Sequence, residues 1–209
     1  TPDGLALAFI IGESFLGDDP SALVLGDNIF YGNTLPELLG SANAREEGAT
    51  IFDYHVHDPN RYGIVEFDKN HCVISLEEKP KKPKSNYALT GLYFFDKNAV
   101  EYAKQIKPSH RGELEIIDLI RKYHEQGTIS VEKMGRGYTW MDTGTTESLL
   151  EAHQFVQIIE HRQGLKISCP EEIAYRKKYI DKSQLAKLAE PMLNNNYAQY
   201  LMRIIKEVD

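Results

Sequence analysis

Apolar positions along the chain fall into short runs separated by amphipathic stretches, and the two patterns read as strands and helices in turn. Thr1-Pro2-Asp3-Gly4 opens like a helix entry, and Leu5, Phe9, Gly12 and Phe15-Leu16 follow at helical spacing. Ala22–Leu25 reads as a buried strand that runs into Gly26, Asp27 and Asn28. LPELLGSANAREEG reads as a helix with Leu35, Leu38, Leu39 and Ala42 on its apolar side. ATIFDYHVHD is a strand, and YGIVEFDKNHCVISLEEKP gives two short strands joined at Asp68-Lys69-Asn70. YALTGLYFFD is rich in β-formers. GELEIIDLIRKYHEQG places Leu114, Ile117, Ile120 and Tyr123 near helical spacing. TISVEKM and YTWMD are strand candidates, and a long helix over about Thr145 to Gln163 closes this region.

After Gly164 the pattern changes to three successive amphipathic helices, PEEIAYRKKYI, KSQLAKLAE and NNYAQYLMRIIKEV. Strands alternating with helices, then helices alone, predict an α/β sheet over 1–163 and a helical segment over 164–209.

Composition narrows the class. Hydrophobic residues make up 42% of 209, enough for a core, and no apolar run reaches the roughly 18–20 residues of a membrane span. The net charge of −7, with one basic cluster in EEKPKKPK, disfavours nucleic acid as a partner. Cys72 and Cys169 lie far apart and outside any CxxC pattern, so neither a disulfide framework nor a zinc site is expected. A reducing, cytoplasmic setting fits, and the start has neither a basic leader nor an initiator Met.

The candidate chemistry lies at strand ends. Asp27 follows one apolar strand, and Asp142 in YTWMDTGT follows another and precedes a Gly-containing turn. Two such carboxylates suit Mg²⁺, which takes its remaining oxygens from phosphate and water; capping of the following turn is the competing role for each. Glu78 and Lys79 in SLEEKP pair an acceptor for sugar hydroxyls with a point charge for phosphate, or form a solvated charge run. Tyr62-Gly63 brings backbone close to a ligand or makes a plain turn. Arg111 precedes a helix, where an anion is favoured. His55 and His57 lack a third ligand and are read as structural, and Tyr87, Tyr93, Phe94 and Phe95 as core or pocket wall. P-loop, GxSxG, HExxH and kinase signatures are absent, and GRGYTW holds only part of GxGxxG.

Seven segments, PDGLALAF, LVLGDNIFYG, DPNRYGIVEFD, ISLEEKPKKPKSNYALTGLYFFD, RGELEIIDL, GRGYTWMDTGT and RQGLKISCPEEIAYRK, together resemble the sugar nucleotidyltransferase family. Within it they are most similar to the glucose-1-phosphate thymidylyltransferases of dTDP-rhamnose synthesis, collinearly over essentially the whole chain. The resemblance implies a mixed, mostly parallel, doubly wound (Rossmann-like) sheet and transfer of dTMP from dTTP to glucose 1-phosphate, giving dTDP-glucose and pyrophosphate. It implies Asp27 and Asp142 as Mg²⁺ ligands and Lys79, helped by Arg111, on the sugar phosphate. Tyr62, Gly63, Glu78, Leu89 and Tyr93 then line the glucose pocket, with Asp3 and Gly4 against thymine and ribose. The C-terminal helices become the assembly part of a homotetramer, with Glu172 and Arg176 at a dTDP-rhamnose feedback site.

The chain departs from the family at Leu7, usually Gln, and at Leu89, usually Val. The Gly-rich LAGGxGTRL loop that wraps the triphosphate is not in the sequence. A fragment with the metal and sugar half of the site, inactive alone, is therefore the expectation. Base choice, read mostly upstream in the family, stays open toward uridylyl transfer. A metal-dependent phosphohydrolase with two aspartates and a non-catalytic sugar-nucleotide binding and oligomerisation fragment are the alternatives.

Overall fold

A computed structural model of the chain describes residues 3–70 and 72–207. The proposed cap at Thr1 and Pro2 lies outside them. The elements in chain order are α1 (Leu7–Ile11), α2 (Glu13–Leu16), β1 (Ser21–Val24), β2 (Asn28–Tyr31), α3 (Leu35–Asn43), β3 (Ala49–His55), β4 (Gly63–Phe67), β5 (Val73–Glu78) and β6 (Tyr87–Phe95). There follow α4 (Ala99–Gln105), α5 (Ile116–Glu125), β7 (Ile129–Met134), β8 (Thr139–Asp142), α6 (Thr146–Gln163), α7 (Pro170–Arg176), α8 (Lys182–Ala189) and α9 (Asn196–Lys206). Two of these were not legible in the pattern, β2 and α4. The chain divides into two compact units, Thr1–Ala152 and His153–Asp209, with the division inside α6.

In the first unit the main sheet runs β5-β4-β6-β3-β7, with β1 also on β6, and β2 and β8 form a separate two-stranded ribbon. The mixed α/β class stands, but the pairing corrects the expected parallel majority. β6 runs antiparallel to β1, β3 and β4, β4 and β5 form an antiparallel hairpin, and β3–β7 is the parallel ladder of this sheet. For the β4–β5 hairpin the physical cause is local. Asp68 Oδ1 accepts from the backbone N–H of Asn70 and Cys72, both at 2.8 Å, and this closes a tight hairpin where a parallel connection would need a long crossover.

β3 and β6 are buried on both faces, with Ile51, Phe52, Ala88 and Phe95 at most 2% exposed. Continuous apolar runs of this kind belong to central strands. α5 lays Ile116, Ile117, Leu119, Ile120 and Tyr123 against that sheet, and each large side chain so buried stabilises by about 1.5–3 kcal/mol. In the second unit Leu185, Ala189, Ala198, Leu201 and Ile204 form a separate helical core. α8 begins with a reciprocal capping box between Asp181 and Gln184, and Asn195 caps α9 through the N–H of Ala198.

Candidate active site

β1 ends at Val24, and the chain turns at Leu25–Asp27 before entering β2, which pairs antiparallel with β8. In that ladder Asn28 stands opposite Asp142, so the turn and the ribbon bring the two aspartates to neighbouring positions. Asp27 follows the end of main-sheet strand β1, as the sequence placed it, whereas Asp142 ends ribbon strand β8 rather than a strand of the main sheet. Thr143 donates to the Asp27 carbonyl through both its N–H (2.9 Å) and its Oγ1 (2.8 Å), which ties the two segments together. Asp142 Oδ1 accepts from Gly144 N–H at 2.9 Å, the capping contact that the sequence left open, and Asp27 Oδ1 accepts from Asn28 Nδ2 at 2.9 Å. The other oxygen of each carboxylate has no hydrogen-bond partner among the described residues. Such a pair of hard carboxylates, exposed at Asp27 and half-buried at Asp142, fits Mg²⁺ bound by one or two carboxylates, with phosphate and water completing its shell. No cluster of three or more His, Cys, Asp or Glu capable of holding a metal occurs among the described residues.

A cleft of about 410 Å³ opens beside Asp142, lined among others by Tyr62, Trp140, Arg61, Ser148 and Glu151. The Tyr62 and Trp140 rings pack with centroids 5.1 Å apart. Next to Tyr62, Gly63 pairs with Glu78 across the β4–β5 ladder, and a Cβ at Gly63 would lie 3.4 Å from Glu78 Oε2 and 3.5 Å from Leu89 Cδ1. Arg111 Nη1 lies 3.7 Å from Glu78 and 3.6 Å from the nearly buried Glu115, and Lys79 Nζ lies 4.0 Å from Glu78. Burial, then the neighbouring Glu115 charge, raises the Glu78 pKa above the ordinary carboxylate value. Lys79 has φ 40°, a left-handed backbone unusual outside glycine, and its N–H donates to the Tyr62 carbonyl at 3.1 Å. Tyr62, Gly63, Glu78, Lys79, Leu89 and Arg111 therefore lie together on one wall.

Tyr93 is buried in the core below, 4% exposed, and burial raises its phenol pKa. The Asp3 carbonyl accepts from Leu114 N–H at 2.8 Å, and Ala6 N–H donates to the Leu114 carbonyl at 3.1 Å. Gly4 has φ 96°, and a Cβ there would strike the Leu114 backbone, so the Asp3-Gly4 segment is held beside the Arg111–Glu115 stretch. Glu172 and Arg176 belong to the second unit, where Arg176 Nε donates to Glu172 at 2.8 Å and Tyr200 donates to the same carboxylate. His55 packs edge-on against Tyr87.

Four residues of this site escaped the sequence reading: Asn28, Gly91, Trp140 and Glu115. Asn28 Oδ1 accepts from Trp140 Nε1 at 2.7 Å and from Gly91 N–H at 3.0 Å. Ser109 Oγ donates to Glu115 Oε1 at 2.8 Å, which holds that acid beside Arg111. The one available signal was Trp140, the single tryptophan, which stands two residues before Asp142.

Comparisons with known proteins identify the family. The "Nucleotidyl transferase" family model matches residues 1–158. A glucose-1-phosphate thymidylyltransferase of Xanthomonas campestris pv. campestris (strain B100) is 55% identical over 206 residues, covering 99% of this chain and 70% of its own length. That of Neisseria meningitidis is 55% identical over 207 residues, with 99% and 72% covered. A solved Bacillus anthracis protein assigned as a glucose-1-phosphate thymidylyltransferase, in complex with a sucrose, is 39% identical with TM-score 0.65, covering 74% of this chain and 61% of that one. A UDP-glucose pyrophosphorylase complexed with UDP-glucose shares the fold, at TM-score 0.66 and 22% identity over 74% of this chain and 62% of that one. The chain spans about 70% of the length of these curated relatives and about three fifths of the solved ones. By the family match, the identity and the shared fold, the chain belongs to the nucleotidyl transferase family and, within it, to the glucose-1-phosphate thymidylyltransferases.

Proposed function

We propose that Asp27, Asp142, Tyr62, Gly63, Glu78, Lys79 and Arg111 form the sugar-phosphate and metal side of a site that transfers dTMP from dTTP to glucose 1-phosphate, releasing pyrophosphate. The observation that carries this is its continuity. Asp27 and Asp142 are linked through Asn28 and Trp140 to Tyr62, and from there to Glu78, Lys79 and Arg111. Glu78, half-buried, accepts from two sugar hydroxyls and so discriminates epimers. Lys79 and Arg111 offset the charge of the sugar phosphate, whose oxygen attacks the α-phosphorus in line. Asp3 and Gly4 stand on the nucleotide side. Mg²⁺, held by Asp27 and Asp142, supplies charge neutralisation at the nucleotide phosphates. Little covalent help is needed from the protein, which contributes positioning and electrostatics.

The test is calorimetric binding of glucose 1-phosphate and dTDP-glucose to this chain, compared with D27N and D142N, with pyrophosphate release from dTTP and glucose 1-phosphate expected to be negligible for this chain alone. Orthophosphate released from glucose 1-phosphate without any nucleoside triphosphate would favour a phosphohydrolase instead. The proposal extends to dTDP-rhamnose synthesis as the pathway and to residues 164–209 as the assembly segment of a homotetramer, with Glu172 and Arg176 at a dTDP-rhamnose feedback site. A cytoplasmic setting is supported by two free cysteines, Cys72 and Cys169. Among the described residues no helix is long and apolar enough to cross a membrane.

A further inference from the structure

We infer that Asn28 is a positioning residue that aims the Asp27 carboxylate, and that Gly91 and Trp140 in turn lock Asn28. The inference rests on the reading that Asp27 and Asp142 hold the divalent cation.

The amide can face only one way. Its Oδ1 lies 3.0 Å from the Gly91 N–H and 2.7 Å from the Trp140 Nε1–H, and both of those groups are donors only. Turning the amide over would set its NH₂ against two donors and leave all three groups unpaired. With the oxygen committed, the NH₂ must point away from them, and it donates to Asp27 Oδ1 at 2.9 Å. The chemistry of the neighbours thus fixes an orientation that the shape of the amide alone would not.

Two features support a built arrangement. A Cβ on Gly91 would lie 2.5 Å from Asn28 Oδ1 and 2.7 Å from Leu25 Cγ, so the approach of Asn28 to β6 requires glycine. The Gly91 carbonyl also accepts from Leu25 N–H at 2.8 Å, so one residue of the central strand anchors both ends of the turn that carries Asp27. The Asp27 backbone is pinned separately by Thr143, the residue after Asp142. Main chain and side chain are therefore each set by a different contact. The carboxylate keeps one oxygen on Asn28 and offers the other to the cation. Groups that orient a metal ligand in this way typically change metal affinity roughly 10- to 100-fold when removed.

The test uses the 209-residue chain and Mn²⁺ alone, with free ion followed by electron paramagnetic resonance. Omitting sugar and nucleotide keeps any contact of Asn28 with substrate out of the measurement. N28A is expected to bind Mn²⁺ about tenfold or more weakly, with a circular dichroism spectrum like that of the unsubstituted chain. Emission from the single tryptophan should change as its indole loses its acceptor. W140F removes one of the two donors that hold the amide and is expected to weaken Mn²⁺ roughly fivefold, the worth of one hydrogen bond. N28A that is folded and binds Mn²⁺ as tightly as the unsubstituted chain overturns the inference. If N28A does not fold, unchanged Mn²⁺ affinity in W140F overturns it. Unchanged Mn²⁺ binding by D27N would instead overturn the reading of Asp27 as a ligand, and this inference with it.

Discussion

Gly63 stands directly opposite Glu78 in the β4–β5 ladder, and the place where a Cβ on Gly63 would sit is 3.4 Å from Glu78 Oε2 and 3.4 Å from Ile117 Cδ1. Those are ordinary contact distances, and Gly63 has no positive φ. The backbone therefore does not need glycine there, whereas a sugar packed against that wall, as proposed, would. G63A is expected to unfold within about 1 kcal/mol of the unsubstituted chain, since a methyl group added without a clash changes little. Its affinity for glucose 1-phosphate should fall at least tenfold, by calorimetry. Normal sugar-phosphate binding by G63A would remove Gly63 from the pocket.

Glu78 carries a pH signature. Burial and the neighbouring Glu115 charge raise its pKa, so it takes up a proton at a higher pH than an exposed glutamate. The acceptor form is lost as pH falls through that raised value. Binding of glucose 1-phosphate should weaken on acidification before exposed carboxylates titrate. E78Q should bind more weakly at pH 7, by about 1.5–3 kcal/mol for lost hydrogen bonds to a charged group, with a flatter acid limb. An E78Q profile parallel to that of the unsubstituted chain would contradict this.

Lys79 combines a charge with a left-handed backbone at φ 40°. K79A and K79G both remove the ammonium, and both should lose most affinity for glucose 1-phosphate. Only K79G relieves the backbone, so it should be the more stable of the two by about 1 kcal/mol. Equal denaturation midpoints for the two variants would show that the conformation costs nothing.

Asp53 is buried, with Oδ1 lacking a hydrogen-bond partner among the described residues, and burial raises its pKa from 3.8 to about 6. A raised carboxyl pKa means that the folded chain holds this proton more tightly than the unfolded one. Its contribution to stability is therefore most favourable below about pH 4, declines as pH rises to about 6, and is flat above that. The deficit at neutral pH is at most roughly 3 kcal/mol. D53N should raise the unfolding midpoint at pH 7 and reduce the decline between pH 4 and 6. Thermal melts across that range check it, and an unaltered slope would assign the titration elsewhere.

The elements legible in the sequence were those whose burial is written in their own residues. β3 and β6 are apolar on both faces, α5 has a clear stripe, and α9 begins at a capping Asn195. β2 was not legible because Asn28-Ile29-Phe30-Tyr31 is a strand only through its partner Thr139–Asp142, more than a hundred positions away. α4 is short and fully buries only Ala99, Val100 and Ala103, with Tyr102 packed edge-on against Tyr123. The parallel majority failed because β6 lies antiparallel to three neighbours, a pairing that local pattern does not encode. At the site, charged residues stood out by type. Asn28, Gly91 and Trp140 did not, since their roles arise from contacts with one another across the fold.

The most direct test of the account is calorimetry of dTDP-glucose binding to this chain, with and without Mg²⁺, for the unsubstituted protein and the D27N/D142N variant. The account predicts that dTDP-glucose binds the unsubstituted chain, that Mg²⁺ strengthens the binding, and that the variant loses the Mg²⁺ effect while keeping the Glu78 contact to the sugar. Absence of binding, or an equal Mg²⁺ effect in both proteins, would contradict it.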